Sequence, residues 1–98
     1  MVYGEYVNHM IKSFYAQIAP EEVTPVSQQN REICQGVIGT LPRQDEKILR
    51  LVYSDLGKGS MTDAVRNCAD QLDVSPGEIW HVVKVVSKQI ARKRGLID

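Results

Sequence analysis

The sequence predicts an all-α protein of about five helices, and three observations lead to that prediction. Apolar residues recur at intervals of three and four along most of the chain, which is the period of helices packed on one side. Serines and prolines stand where helices would begin, and prolines or glycines stand where they would end. The one β-prone stretch, WHVVKVV at 80–86, lies inside a longer helical pattern.

The length and composition fit a single domain covering residues 1–98. A chain of 98 residues with 43% hydrophobic residues can build one core and is too short for two domains. Within this domain, residues 1–26 are predicted to form an N-terminal helix and a linker. Residues 27–98 form the predicted helical module.

The first predicted helix covers residues 2–19 and ends before Pro20. Its apolar stripe consists of Tyr3, Tyr6, Val7, Met10, Ile11, Phe14 and Ile18. We expect this stripe to pack onto its own domain. The alternative is a homodimer contact through residues 3–18, because proteins that read palindromic DNA sites need such a contact.

The second predicted helix covers residues 27–39. Ser27 is a plausible N-cap, and Gly39 is a plausible end. The buried side of this helix would carry Ile33, Val37 and Ile38, which repeat with helical spacing.

The third predicted helix begins near Pro42, a residue favoured in the first turn. Asp45 and Glu46 then lie where the helix dipole stabilises anions. The predicted buried face consists of Ile48, Leu49, Val52 and Leu56. The segment GKGS at 57–60 would break the chain before the fourth helix.

The last two predicted helices form a helix-turn-helix pattern at about 62–94. The fourth helix covers residues 62–72, and the fifth begins three residues later. Ser75 and Glu78 have the spacing of a capping box, and Pro76 occupies the first helical position. Asp73 falls where such turns need a left-handed backbone, a conformation that Asp tolerates better than most residues.

The fifth helix is predicted to have one apolar and one cationic side. At 100° per residue, the core side carries Ile79, Val83, Val86 and Ile90. The opposite side carries His81, Lys84, Lys88 and Arg92, which we call the basic ridge. Trp80 and Val85 flank the ridge. A solvated helix face with a cationic end would show the same pattern without any DNA function.

The positive charge is local. The chain holds twelve cations and twelve anions, but residues 75–98 hold five cations against two anions. Attraction to a polyanion would therefore be directional, and strong non-specific binding to nucleic acid is disfavoured.

No motif indicates an enzyme, a cofactor or a metal. No catalytic triad, phosphate-binding loop or pair of catalytic carboxylates stands out. The spacing of Cys34, Cys68, His9 and His81 fits no known zinc pattern. The two cysteines suggest buried thiols in a reducing compartment, and no signal peptide or membrane span is indicated. We therefore expect a cytoplasmic protein.

Two stretches resemble the fourth conserved region of bacterial sigma factors, and also small phage and mobile-element regulators built on that module. They are LPRQDEKILRLVY at 41–53 and ADQLDVSPGEIWHVVKVVSKQIARKRG at 69–95. Together they cover about half of the chain. The resemblance implies a helix-turn-helix whose second helix enters the −35 promoter element. Because residues 1–40 do not resemble other sigma regions, a stand-alone regulator is expected.

The expected function is therefore DNA-binding transcriptional regulation, with helix 76–94 in the major groove of double-stranded DNA. We expect base-edge contacts from Gly77, His81 and Lys84, and phosphate contacts from Lys88, Arg92, Lys93 and Arg94. The alternative is a protein-interaction module of the same fold that binds RNA polymerase or another regulator. Trp80 and Val85 would then be partner contacts, although a partly buried position in the core is the simpler role for Trp80.

Overall fold

The computed structural model describes residues 3–16, 24–55 and 59–97, which form five α-helices and no strand. The helices are α1 (Tyr3–Ala16), α2 (Pro25–Ile38), α3 (Arg43–Asp55), α4 (Met61–Leu72) and α5 (Pro76–Arg94). The prediction of an all-α fold with about five helices is confirmed. No helix in the described ranges is long and apolar enough to cross a lipid bilayer.

The apolar stripe of α1 packs onto its own domain. Val7 and Ile11 are fully buried and Met10 nearly so, while Tyr6 and Phe14 lie half-buried against the core. These central side chains are enclosed by the chain itself, so a dimer through residues 3–18 would have to use other parts of the helix. Ile18 and the predicted end of this helix at 17–19 fall outside the described residues.

The start of α2 differs from the prediction. Thr24 is the N-cap, Pro25 is the first helical residue, and Ser27 lies three positions after the cap. The Ser27 N–H donates to Thr24 Oγ1 at 3.0 Å, and the Thr24 N–H donates to Ser27 Oγ at 3.0 Å. This reciprocal capping box gives the backbone N–H groups of Thr24 and Ser27 hydrogen-bond acceptors that the first turn of a helix does not supply. The linker therefore ends before Pro25 rather than at residue 26.

The segment between α2 and α3 is short, and Gly39 occupies its first position. Gly39 ends α2 as predicted, although with a right-handed backbone, φ −65°. A Cβ atom at this position would lie 2.7 Å from the backbone oxygen of Gln35, so close packing rather than left-handed geometry requires glycine. Arg43 then begins α3 directly after Pro42.

The five helices share one core. Its fully or almost fully buried members from α3 to α5 include Leu49, Val52, Val65, Cys68, Ile79, Val86 and Ile90. The predicted buried face of α3 is confirmed for Ile48, Leu49 and Val52, whereas Leu56 and the break at 57–58 lie outside the described residues. Helix α5 contacts α1, α2, α3 and α4, so its orientation is fixed from one side by the rest of the domain.

Candidate nucleic-acid interface

The connection between α4 and α5 is a turn of three residues. Asp73 adopts the left-handed conformation, φ 55° and ψ 47°, and is the one non-glycine residue with positive φ in the described ranges. The Val74 N–H donates to the Ala69 carbonyl at 3.1 Å, which closes the end of α4. Asp tolerates this backbone region because its short side chain meets little steric resistance there. The predicted role of Asp73 in the turn is confirmed.

The capping box at the start of α5 is also present. The Glu78 N–H donates to Ser75 Oγ at 3.3 Å, and the Ser75 N–H donates to Glu78 Oε2 at 3.2 Å. Pro76 occupies the first helical position, where its missing N–H costs nothing. The turn and the box together set where α5 begins and which face it turns outward.

Helix α5 shows the predicted division into two sides. The core ladder of Ile79, Val83, Val86 and Ile90 is between 0% and 4% exposed. All four members of the basic ridge, His81, Lys84, Lys88 and Arg92, are exposed, as is Gly77 before them. The ridge therefore presents a row of cationic or imidazole groups to solvent from the second to the fifth turn of the helix.

No acidic side chain in the described ranges lies within ion-pair distance of the ridge cations. Among the described residues, the one ion pair within 4.0 Å joins Arg50 Nε to Glu46 Oε2 at 3.8 Å. The sequence of α5 holds five Lys or Arg residues and a single carboxylate, Glu78, in its first turn. The exposed cations of the ridge give this face of α5 a local excess of positive charge.

Arg94 occupies a different position from the one expected for a phosphate contact. Its Nε–H donates to Asn30 Oδ1 at 2.9 Å, and its guanidinium carbon lies 5.8 Å from the centre of the Tyr6 ring. This half-buried side chain connects the end of α5 to α1 and α2. One N–H of the guanidinium is therefore engaged within the chain, and the grouping of Arg94 with the phosphate contacts of Lys88 and Arg92 stays a prediction.

Lys93 is exposed but does not continue the ridge. It follows Lys88 by five residues, which places it about 140° around the helix axis. The cationic C-terminus of α5 is thus divided: Arg92 extends the ridge, Lys93 points to a second side, and Arg94 turns back to the domain. The sequence prediction grouped these three residues together as phosphate contacts.

Two apolar side chains flank the ridge. Trp80 is half-buried against the core, which matches the simpler of its two predicted roles. Val85 is 41% exposed and is one of two large apolar side chains exposed in the described part of the chain. Gly77, Trp80, His81 and Lys84 line a shallow depression at the start of the helix. An apolar wall next to hydrogen-bond donors suits the edge of a base pair.

A second depression lies beside this end of α5, where the turn meets the start of α3. Ile48, Val74 and Val82 provide its apolar floor, and the carboxylates of Asp45 and Glu78 lie at its margin. It is an open groove rather than a closed cavity. Its acidic margin contrasts with the neighbouring basic ridge.

The residues considered as zinc ligands are not brought together. No group of three or more His, Cys, Asp or Glu side chains in the described ranges has a geometry that could hold a metal ion. Cys34 and Cys68 are both buried thiols. Burial raises the pKa of the Cys34 thiol to about 11, and Cys68 Sγ lies 3.8 Å from the Ile48 carbonyl oxygen. Both cysteines therefore serve as small apolar core residues.

Comparisons with models of known protein families, with curated proteins and with solved structures find no match to this chain.

Proposed function

We propose that the protein is a DNA-binding transcriptional regulator whose helix α5 lies in the major groove. One observation carries this proposal: the four ridge residues are exposed on the face opposite a buried ladder, and none of them forms an ion pair within 4.0 Å with another described residue. A major-groove helix needs this division, because one side must be held by its domain while the other meets base edges and phosphates. The three-residue turn between α4 and α5 holds α5 at the surface, where the ridge can meet DNA.

The contacts follow from the order of residues along α5. Gly77, His81 and Lys84 lie near the N-terminal end and would face base edges, with Trp80 as an apolar wall beside them. Lys88 and Arg92 would neutralise phosphates farther along, joined by Lys93 on the adjacent side. Arg94 would act indirectly, by fixing the end of the helix against α1 and α2. The likeness to sigma region four supports the same docking mode.

The cellular setting proposed for this function is the reducing cytoplasm. Cys34 and Cys68 are buried thiols, and buried thiols persist without oxidation where the thiol–disulfide balance is reducing. A transcriptional regulator would work in the compartment that holds the DNA, whether its gene lies on the chromosome or on a mobile element.

A second candidate function is a protein-interaction module that binds RNA polymerase or another regulator. The groove between α3 and α5 favours it, since its apolar floor and two carboxylates suit an apolar segment with basic flanks. The exposed Val85 would enlarge the apolar contact area. In this case the ridge would be a solvated face.

The deciding experiment is charge reversal on the ridge. A binding site is first selected from a random pool of duplex DNA, and Lys84→Glu with Lys88→Glu is then compared with the wild type by gel retardation. The matched control is Lys12→Glu with Lys47→Glu, which makes the same charge change at two exposed lysines of α1 and α3.

We expect the ridge variant to lose DNA binding while its circular dichroism and thermal unfolding match the wild type. The control variant should bind nearly normally, because its charges lie off the proposed interface. Normal retardation by the ridge variant, or equal losses in both variants, contradicts α5 as the reading helix. Failure of the wild type to select any sequence, together with capture of a defined protein partner, favours the second candidate.

A further inference from the structure

A partly enclosed cavity in the described part of the chain lies away from the basic ridge, between α1 and α2. Its volume is about 240 Å³, and its floor is formed by Met10 and Phe14. Such a volume is slightly below the range of small-molecule clefts, so it suits an organic molecule of roughly ten heavy atoms or fewer. Neither the proposed DNA contacts nor the packing of the core uses this space.

The polar lining of the cavity includes one permanently charged side chain and several that can donate hydrogen bonds. Arg31 and His9 are both exposed there, and the hydroxyl of Ser13 lies beside them. No Asp or Glu contributes to the lining described. Arg31 has no carboxylate within 4.0 Å among the described residues. An apolar lining beside the Arg31 guanidinium favours an amphiphilic anion, because the planar guanidinium fork matches a carboxylate.

One wall of the cavity is connected to the end of α5. Asn30 lines the cavity, its Nδ2 donates to Tyr6 Oη at 3.1 Å, and its Oδ1 accepts from Arg94 Nε at 2.9 Å. Arg94 follows Arg92 of the ridge by two residues. A molecule that contacts the Asn30 amide would therefore compete with, or reorient, the bonds that fix the C-terminal turn of α5.

We propose that this cavity is a binding site for a small organic anion with a carboxylate head and an apolar body. The head pairs with Arg31 and His9, and the body lies on Met10 and Phe14. Occupancy is transmitted through Asn30 and Arg94 to α5. The binding itself stands apart from the function proposed above, whereas an effect on DNA affinity rests on that function.

The binding test uses hexanoate as the probe in a titration followed by amide ¹H–¹⁵N spectra. Acetate, which lacks the apolar body, and hexan-1-ol, which lacks the charge, are compared with it. Arg31→Ala is the test variant, and Arg43→Ala removes an equally exposed arginine from α3 as the matched control. We expect saturable shifts at residues of the cavity with hexanoate and weaker shifts with the other two probes.

The affinity for hexanoate should fall roughly three- to tenfold in Arg31→Ala, as expected for a partly solvated charge-assisted pair, and stay unchanged in Arg43→Ala. Equal affinity in both variants, or no saturable shift in the wild type, overturns the site. A variant with Phe14→Leu keeps the packing apolar and offers a second check, because it should weaken hexanoate more than acetate.

The link to α5 is read from the Nε–H resonance of Arg94, which does not depend on DNA. Saturation with hexanoate should move this resonance in the wild type and leave it still in Asn30→Ala, compared under conditions where both proteins are folded. A signal that stays still in the wild type overturns the link while leaving the binding site intact. If hexanoate moves the Arg94 signal but the wild type binds no DNA, the proposed function fails and this inference stands.

Discussion

Tyr53 and Asn8 lie 45 residues apart in the chain, and the Tyr53 phenol donates to Asn8 Oδ1 at 2.6 Å. Tyr53 is only 3% exposed, so this bond joins α3 to α1 at the margin of the core. Burial raises the pKa of Tyr53 to about 12, because removal from water disfavours the charged phenolate. The neutral phenol is therefore part of what holds the N-terminal helix in place.

Stability should fall at alkaline pH through this residue. The pKa of Tyr53 is about 12 in the folded chain, whereas an unperturbed tyrosine has a pKa of about 10. A raised folded pKa contributes stability that is complete below about pH 10 and is lost as the pH rises toward 12. In that window one group changes the free energy of unfolding by about 1.4 kcal/mol per pH unit.

The measurement is urea unfolding of the wild type and Tyr53→Phe between about pH 8 and pH 11. At the lower pH the variant should be about 1 kcal/mol less stable, since Asn8 loses its donor. Above about pH 10 the gap should narrow, because only the wild type has this phenol to ionise. Every other ionisable group is present in both proteins, so the difference between the two curves reports on the Tyr53 phenol. Parallel curves across the range would show that Tyr53 is not protected from ionisation.

Arg92 and Arg94 should behave as opposites although only one residue separates them. Arg94→Ala removes the bond to Asn30 and the contact with the Tyr6 ring, so unfolding should become easier by about 1 kcal/mol. Arg92→Ala removes an exposed side chain and should change stability by less than about 0.5 kcal/mol. DNA affinity should show the reverse order, with Arg92→Ala the weaker binder.

Thermal unfolding and DNA titration of the two single variants check this pair. The double variant adds a test of independence, because its effects on stability should be nearly the sum of the two single effects. If Arg94→Ala left stability unchanged and weakened DNA binding as much as Arg92→Ala, Arg94 would belong with the phosphate contacts.

Interactions between residues close in the sequence could be predicted from it, whereas contacts between distant residues could not. The box at Ser75 and Glu78 involves residues three apart, so its pattern alone predicted where α5 begins. Thr24 and Ser27 have the same spacing around Pro25, but the predicted N-cap is Ser27 whereas the structure has Thr24 in that position. A proline directly after Thr24 was the signal that distinguished them.

The contact between Arg94 and Asn30 shows where sequence reasoning ends. These residues are separated by 64 positions, and nothing in the spacing of either one indicates the other. A cationic residue at the end of a helix is equally compatible with solvent, phosphate and a neighbouring helix. The ridge itself was predicted correctly because helical period fixes which residues of α5 share a side with the buried ladder.

Two glycines at the C-terminal end of α2 should respond to alanine in opposite directions. At Gly36 an added Cβ meets no atom within 4 Å, so alanine should stabilise the helix by up to about 1 kcal/mol. At Gly39 the same Cβ would lie 2.7 Å from the Gln35 carbonyl oxygen, so alanine should destabilise the protein by about 1 kcal/mol or more. Melting temperatures of Gly36→Ala and Gly39→Ala test this pair. A gain in both would mean that the backbone after Ile38 relaxes without cost.

The salt dependence of DNA affinity should count the cations at the interface. With Arg94 engaged inside the chain, four cations remain for phosphates and base edges on α5: Lys84, Lys88, Arg92 and Lys93. Release of counterions from four neutralised phosphates gives a slope of log affinity against log salt of about −3.5. Lys84 makes this an upper limit in magnitude, because a contact to a base edge releases fewer ions than a contact to a phosphate.

Affinity for a selected duplex is measured between about 50 and 200 mM KCl for the wild type, Arg92→Ala and Arg94→Ala. Arg92→Ala should reduce the magnitude of the slope by about 0.9, whereas Arg94→Ala should leave it unchanged. A slope near zero would mean that the ridge does not meet the DNA backbone, even if a complex forms. If the wild type gave a slope of about −3.5 and Arg92→Ala gave the same slope, the phosphate contacts would lie on another cationic face. One such face on α3 carries Arg43, Lys47 and Arg50.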